Sequence, residues 1–169
     1  MRTSRTALTA VALVALAAPV AVLVAPANAA TANERVITGT PHDDYLDGTR
    51  QADTIRLKGG DDFTLARAGN DEVWLGSGND IAYGDAGVDE IFDGTGADRV
   101  YGGEGRDRIS NTTGRDWIGA GPGNDTVWLP GGDGVDEVHC GSGHDTVIYN
   151  LETDNDDIAG DCEEVLLLS

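Results

Sequence analysis

From residue 44 onward the chain presents its hydrophobic side chains singly and at a fixed interval. Leu46, Ile55, Val73, Ile91, Val100, Ile109, Ile118 and Val127 stand in one nine-residue frame, in which Thr64 and Ala82 are the weak members. A two-residue insertion near Pro130 shifts the frame to Val138 and Val147, and a second slip carries it to Ile158. One apolar residue between two polar ones predicts a strand of about three residues, x-U-x, with its middle side chain turned inward. The residues between these strands are Gly-rich, and Gly accepts the positive φ that a sharp turn needs. A strand so short buries too little alone, so the copies must stack into a solenoid.

The N-terminal segment follows a different pattern. Arg2 and Arg5 precede an apolar stretch from Ala7 to Val24, interrupted only by Thr9 and Pro19, and Ala27-Asn28-Ala29 is a small-x-small cleavage site. This predicts a signal peptide over 1–29 and an exported, soluble mature protein; the alternative is an uncleaved membrane anchor. Cleavage removes two Arg and no acid, so the formal charge of −19 becomes −19 − 2 = −21.

The polar positions keep the same register. Asp44, Asp53, Asp62, Asp71, Asp80, Asp89, Asp98, Asp107, Asp116 and Asp125 follow in steps of nine, then Asp136 and Asp145 after the insertion, and Asp156 as a weak last copy. Two residues before the Asp stands a Gly in ten copies, from Gly60 and Gly69 to Gly134 and Gly143. Gly102-Gly103-Glu104-Gly105-Arg106-Asp107-Arg108-Ile109-Ser110 is among the most regular. Composition agrees with a cation-dependent fold: 30 acidic residues face 11 basic ones, and Gly is 24 of 169. Such acidity excludes a phosphate-binding nucleic-acid role, which needs a basic patch. Aspartates stacked without counter-ions would repel along each edge of a solenoid. Calcium is the cation that suits them, because it takes six to eight carboxylate and carbonyl oxygens in flexible geometry. Zinc would want Cys or His, and magnesium would keep more water.

The unit resembles the nonapeptide of hemolysin-type (RTX) calcium-binding repeats, G-G-x-G-x-D-x-U-x, from about Gly39 to Ile148. The resemblance implies an all-β fold, a right-handed parallel β-roll with two sheets, in which two nonapeptides make one coil of 18 residues. Asp n then stacks on Asp n+18, giving two edge columns. It implies calcium ions held by Asp62, Asp71, Asp80, Asp89, Asp98, Asp107, Asp116, Asp125, Asp136 and Asp145, with Gly78, Gly96, Gly105 and Gly123 in the turns. His42 and Gln51 replace the second Gly in the first two copies, and Lys58 and Arg67 replace an earlier one in the next two. The sites from Asp80 to Asp125 therefore match best. The expected organisation is a lead-in over 30–38, the β-roll over 39–150 and a capping segment over 151–169.

Cys140 and Cys162 are expected to form a disulfide in an exported chain, the alternative being two free thiols. The segment around Cys162 resembles the closing segment of actinobacterial relatives with such repeats. Bridged, it would let Val165-Leu166-Leu167-Leu168 cover the open last coil. Trp74, Phe92 and Trp128 sit three residues after one set of aspartates, and Tyr83 and Tyr101 after the other. They are expected to face outward as a stacked ladder, or to form a docking strip for an extracellular polysaccharide or cell-surface partner. His139, Ser142, His144 and Asp145 lie within a single repeat, too close to converge as a triad. No Lys-Ser/Thr follows the Gly runs, so no phosphate loop is expected. The reading is a secreted calcium-binding repeat protein, structural, adhesive or surface-binding, and not an enzyme. The alternative is a calcium-dependent polysaccharide-acting enzyme or accessory module.

Overall fold

A computed structural model describes residues 21–23, 35–131, 134–150 and 156–168. Among them the elements in chain order are β1 Ala21–Leu23, β2 Arg35–Thr38, β3 Asp44–Asp47, β4 Asp53–Gly59, β5 Phe63–Leu65, β6 Ala68–Gly69, β7 Glu72–Ser77, β8 Ile81–Gly87 and β9 Glu90–Thr95. They continue as β10 Arg99–Gly105, β11 Arg108–Ser110, β12 Trp117–Gly123, β13 Thr126–Leu129, β14 Glu137–Gly143, β15 Thr146–Asn150, β16 Asp157–Ile158 and β17 Glu164–Leu168. All the strands pair in parallel. One sheet runs β1-β3-β5-β8-β10-β12-β14-β16, with β6 also on β8, and the other runs β17-β15-β13-β11-β9-β7-β4-β2. The chain alternates between the sheets, so each coil contributes one strand to each, and about seven turns stack as a two-sheet β-solenoid. Among the described residues no helix is long and apolar enough to cross a membrane.

The register is the one the repeat predicts. Val100 pairs with Ile118 and Ile109 with Val127, both 18 residues apart. Across the insertion near Pro130 the coil lengthens to 20, as Ile118 pairs with Val138 and Val127 with Val147. The stack extends past 39–150 at both ends. Strand β2 pairs with β4, placing Arg35 where later copies carry Asp. Strand β1 lies within the expected signal peptide and pairs Ala21 with Asp44, an offset of 44 − 21 = 23 that departs from the coil period. The remainder of 1–29 lies outside the described residues.

The strands are longer than three residues, and the repeat buries more than its one aliphatic. Asp107, Ile109 and Asn111 are all buried while Arg108 between them is exposed. The period-2 alternation of a strand therefore begins at the Asp and runs into the first residue of the next repeat. That last position supplies a second core column: Leu57, Ala66, Leu75, Ala120, Leu129 and Cys140 are fully or almost fully buried there. Each buried Leu, Ile or Val contributes roughly 1.5–3 kcal/mol. The weak member Thr64 packs inward beside Leu46 and Ala82, its hydroxyl without a partner.

Glycine two residues before the motif Asp is enforced by the stacking itself. A Cβ at Gly105, where φ is +139°, would lie 1.4 Å from the Gly87 carbonyl oxygen. Lys58, Arg67 and Asp85 adopt positive φ of 84°, 83° and 70° at other turn positions, so the turn is imposed there on residues that disfavour it.

The tail corrects one expectation. Cys140 and Cys162 are bridged, with Cα atoms 5.1 Å apart, but the residues beyond do not fold over the last coil. They form β17, which pairs with β15 as the next rung. Val165, Leu166 and Leu167 are consequently 44%, 43% and 53% exposed. Backbone pairing fixes their direction along the sheet, and no described coil lies beyond to cover them.

Candidate metal centre

The motif aspartates stand in two buried columns, one along each seam between the sheets. Each presents its carboxylate to the coil before it: the Asp80 amide donates to Asp98 Oδ1 at 2.7 Å, and the Asp98 amide to Asp116 Oδ1 at 2.7 Å. In the other column the Asp71 amide donates to Asp89 at 2.8 Å, Asp89 to Asp107 at 2.9 Å and Asp107 to Asp125 at 2.8 Å. Asp116 and Asp125 reach across the lengthened coil to Asp136 and Asp145 at 2.9 and 2.7 Å. One carboxylate oxygen thus locks each coil to its neighbour. The other has no hydrogen-bond partner: Oδ2 of Asp62, Asp71, Asp80, Asp89, Asp98, Asp107, Asp125 and Asp145 is buried and unsatisfied.

A row of orphaned anionic oxygens is costly to bury. Burial pushes Asp62, Asp71, Asp80 and Asp125 up to about 6, and Asp89 and Asp98 up to about 7, against the relief given by the donated amides. Asp107 and Asp116 are raised for the same reason. The charge of neighbours in the same column adds to the shift at Asp62, Asp89, Asp98 and Asp125. A cation that ligates these oxygens removes the penalty, and oxygen-only donors in a flexible Gly turn suit calcium.

The first Gly of the motif makes room for that oxygen. A Cβ at Gly84 would lie 2.6 Å from Asp89 Oδ2, and one at Gly102 would lie 2.8 Å from Asp107 Oδ2. The carbonyls of Gly78, Gly96, Gly105 and Gly123 point along the stack. A Cβ on the matching glycine of the next coil would meet them at 1.8, 1.6, 1.5 and 1.3 Å.

The first two copies are built differently. The turn-facing oxygen of Asp44 accepts the Thr40 amide, and that of Asp53 accepts the Thr49 amide at 2.6 Å and its hydroxyl at 2.9 Å. A Thr donor takes the position that the later copies leave open, so here the Asp caps a turn. At the far end acidic side chains continue the backbone ladder, while Asp145 Oδ2 stays open. Glu163 replaces the motif Asp and accepts the Asp145 amide at 2.8 Å, while Asp161 accepts the Gly141 amide at 3.0 Å.

Several contributors escape the nonapeptide reading. Residues just before the motif Asp form a side-chain ladder along one turn, with the Asn79 amide on Asp61 and the Ala97 amide on Asn79. Their signal was an Asp or Asn recurring at 18, not at nine. The aromatic ladder is also longer than the stacking of Trp74 on Phe92 (4.0 Å between centroids) and of Tyr83 on Tyr101 (4.4 Å). On the first sheet it runs Tyr45, Phe63, Tyr83, Tyr101, Trp117 and His139. Trp117 joins by lying over Gly119, whose absent side chain leaves the space. Rings stacked along the sheet cover each other's faces, which supports cross-strand stabilisation.

Four copies of the RTX calcium-binding nonapeptide repeat match the sequence, over residues 38–73, 74–109, 83–118 and 110–147. No curated protein matches the chain. The repeat matches span 38–147, which is 147 − 38 + 1 = 110 of 169 residues; together with the 18-residue coils and the buried aspartate columns, they make this chain a member of the RTX calcium-binding nonapeptide repeat family.

Proposed function

We propose that the mature protein is a secreted, calcium-conditional repeat module with a structural or adhesive role outside the cell. The observation that carries this is the row of buried Asp oxygens without partners. In it, calcium ions seat between stacked turns on Asp62 to Asp145 and replace the protons that burial would otherwise demand. Export rests on the signal-peptide pattern of 1–29, and cleavage after Ala29 would also remove β1. The surface offered to a polysaccharide or cell-surface partner is the outer column of the second sheet. There Trp74 and Trp128 are 40% and 47% exposed, and Ile148 and Leu166 continue the column.

The test is a calcium titration followed by circular dichroism. The midpoint should fall near 10⁻⁴–10⁻³ M, the range of extracellular calcium modules. Asp107→Asn keeps an oxygen for the Asp89 amide but removes the charge, and should raise the midpoint by about tenfold. Asp47→Asn disrupts only an exposed pair with Arg67, worth about 0–1 kcal/mol, and should leave the midpoint in place. Equal responses of the two variants, or a calcium-independent fold at neutral pH, would overturn the reading.

A further inference from the structure

Asp93 breaks the pattern of the core. It stands at the second inward position of β9, in a column whose register places Leu57 and Leu75 on one side and Asn111 and Leu129 on the other. It is fully buried; Oδ1 accepts the Thr112 amide at 3.0 Å, and Oδ2 has no partner. Its position is also the first of the motif, where Gly84 and Gly102 offer no side chain. Here a carboxylate enters the space beside the motif Asp that follows, Asp98.

Three acids converge at this point. Asp98 Oδ2 is buried without a partner, and Asp116 Oδ2 accepts the Asn111 side-chain amide at 2.7 Å. One oxygen from each of Asp93, Asp98 and Asp116 lies within 4.8 Å of the others. Calcium bonds its oxygens at about 2.3–2.6 Å, so two ligands on opposite sides of one ion stand up to about 5 Å apart. A single ion can therefore reach all three. The donor set holds no His or Cys, which disfavours zinc. Burial first, and then the charges of Asp116 and Asp98, push Asp93 up to about 9, so the cluster does not remain fully ionised without a counter-charge.

We propose that Asp93 joins the motif pair Asp98 and Asp116 to form a three-carboxylate divalent-cation site, suited to calcium, that fills before the two-carboxylate turns of the other coils. It rests on the calcium reading of the array. Its tightness follows from three buried carboxylates meeting at one point, since ligand charge and site rigidity tune calcium affinity. Filling it would pin β9 against the coils on either side, giving the remaining sites a formed neighbour to stack upon.

Calorimetric titration of the calcium-stripped full chain with calcium tests this, using wild type, Asp93→Asn and Asp93→Leu. The wild type should show one tight class of about a single ion ahead of the others. Asp93→Asn should weaken that class by about tenfold or more, since even outer-shell changes cost 10–100-fold, while the later classes persist. Asp93→Leu restores the aliphatic column of Leu75, so it keeps the test available if the Asn variant does not fold, and it should lack the tight class as well. A tight class of wild-type affinity in either folded variant overturns the site, as does a single affinity class in the wild type. A wild type that binds no calcium overturns the function proposed above, whereas normal binding by both variants overturns this site alone.

Discussion

Protons and calcium should substitute for each other in folding this chain. A carboxyl whose pKa is higher in the fold than in the unfolded chain holds its proton more tightly there. Folding without metal then takes up protons, and stability falls as pH rises from about 4 through the folded values. Asp62, Asp71, Asp80 and Asp125 place that loss at about 6, and Asp89 and Asp98 at about 7. A rise from 3.8 to about 6 is worth about 3 kcal/mol per group at neutral pH. Protonating one Asp eases the charge on the next, so six such groups contribute less than six times that figure. Two alone amount to about 6 kcal/mol, comparable with the 5–15 kcal/mol that holds a whole domain together. The metal-free chain should therefore be unfolded at pH 8 and gain β structure as pH falls through 7 to about 5. Saturating calcium should keep it folded from pH 6 to 8. Far-ultraviolet circular dichroism of metal-stripped protein reads both. A metal-free β signal that is unchanged over this range, or that fades on acidification, would refute the reasoning.

Cys140→Ser should lower stability by about 2–4 kcal/mol, the usual worth of a disulfide, and reductant should reproduce most of that loss in the wild type; denaturant unfolding in calcium measures it. Gly105→Ala drives a methyl into the Gly87 carbonyl at positive φ and should destabilise by about 3–5 kcal/mol. Gly160→Ala, with nothing within 4 Å of the added carbon, should be nearly neutral in the same thermal melts.

The coil and its columns were legible because both depend on single residues at a fixed spacing. Val100, Ile109 and Ile118 mark the period, and a period of nine with parallel strands leaves little choice but a stacked solenoid. The second core column was not legible, because its occupants have no common chemistry: Leu75, Gly84, Asp93, Gly102, Asn111 and Ala120 share only a direction. Asp93 was hidden for the same reason, since it looks like one more acid in an acidic chain until the strand's alternation turns it inward. The tail misled through composition. Val165-Leu166-Leu167 looks like a cap, yet its backbone had an unpaired edge at β15 to extend, and hydrogen bonding decided its path.

The distribution of donors along the stack gives the array a direction. At the N-terminal end Thr40 and Thr49 satisfy the turn-facing oxygens of Asp44 and Asp53. At the C-terminal end the disulfide, Glu163 and Asp161 hold the last coils with covalent and backbone contacts. Between them, from Asp62 to Asp107, every motif Asp keeps a buried oxygen without a protein donor. The coils from Asp62 onward thus share the backbone ladder and aliphatic core of the first two copies but lack their Thr donors, and the open oxygens continue at Asp125 and Asp145. A solenoid's coils gain stability mainly from their immediate neighbours, so an unfavourable middle separates the two ends and prevents them from supporting each other. Calcium on the proposed sites would act where that break lies. Filling the remaining central sites would make the ends contiguous, so the ions that follow the first should bind cooperatively although each contacts only adjacent turns.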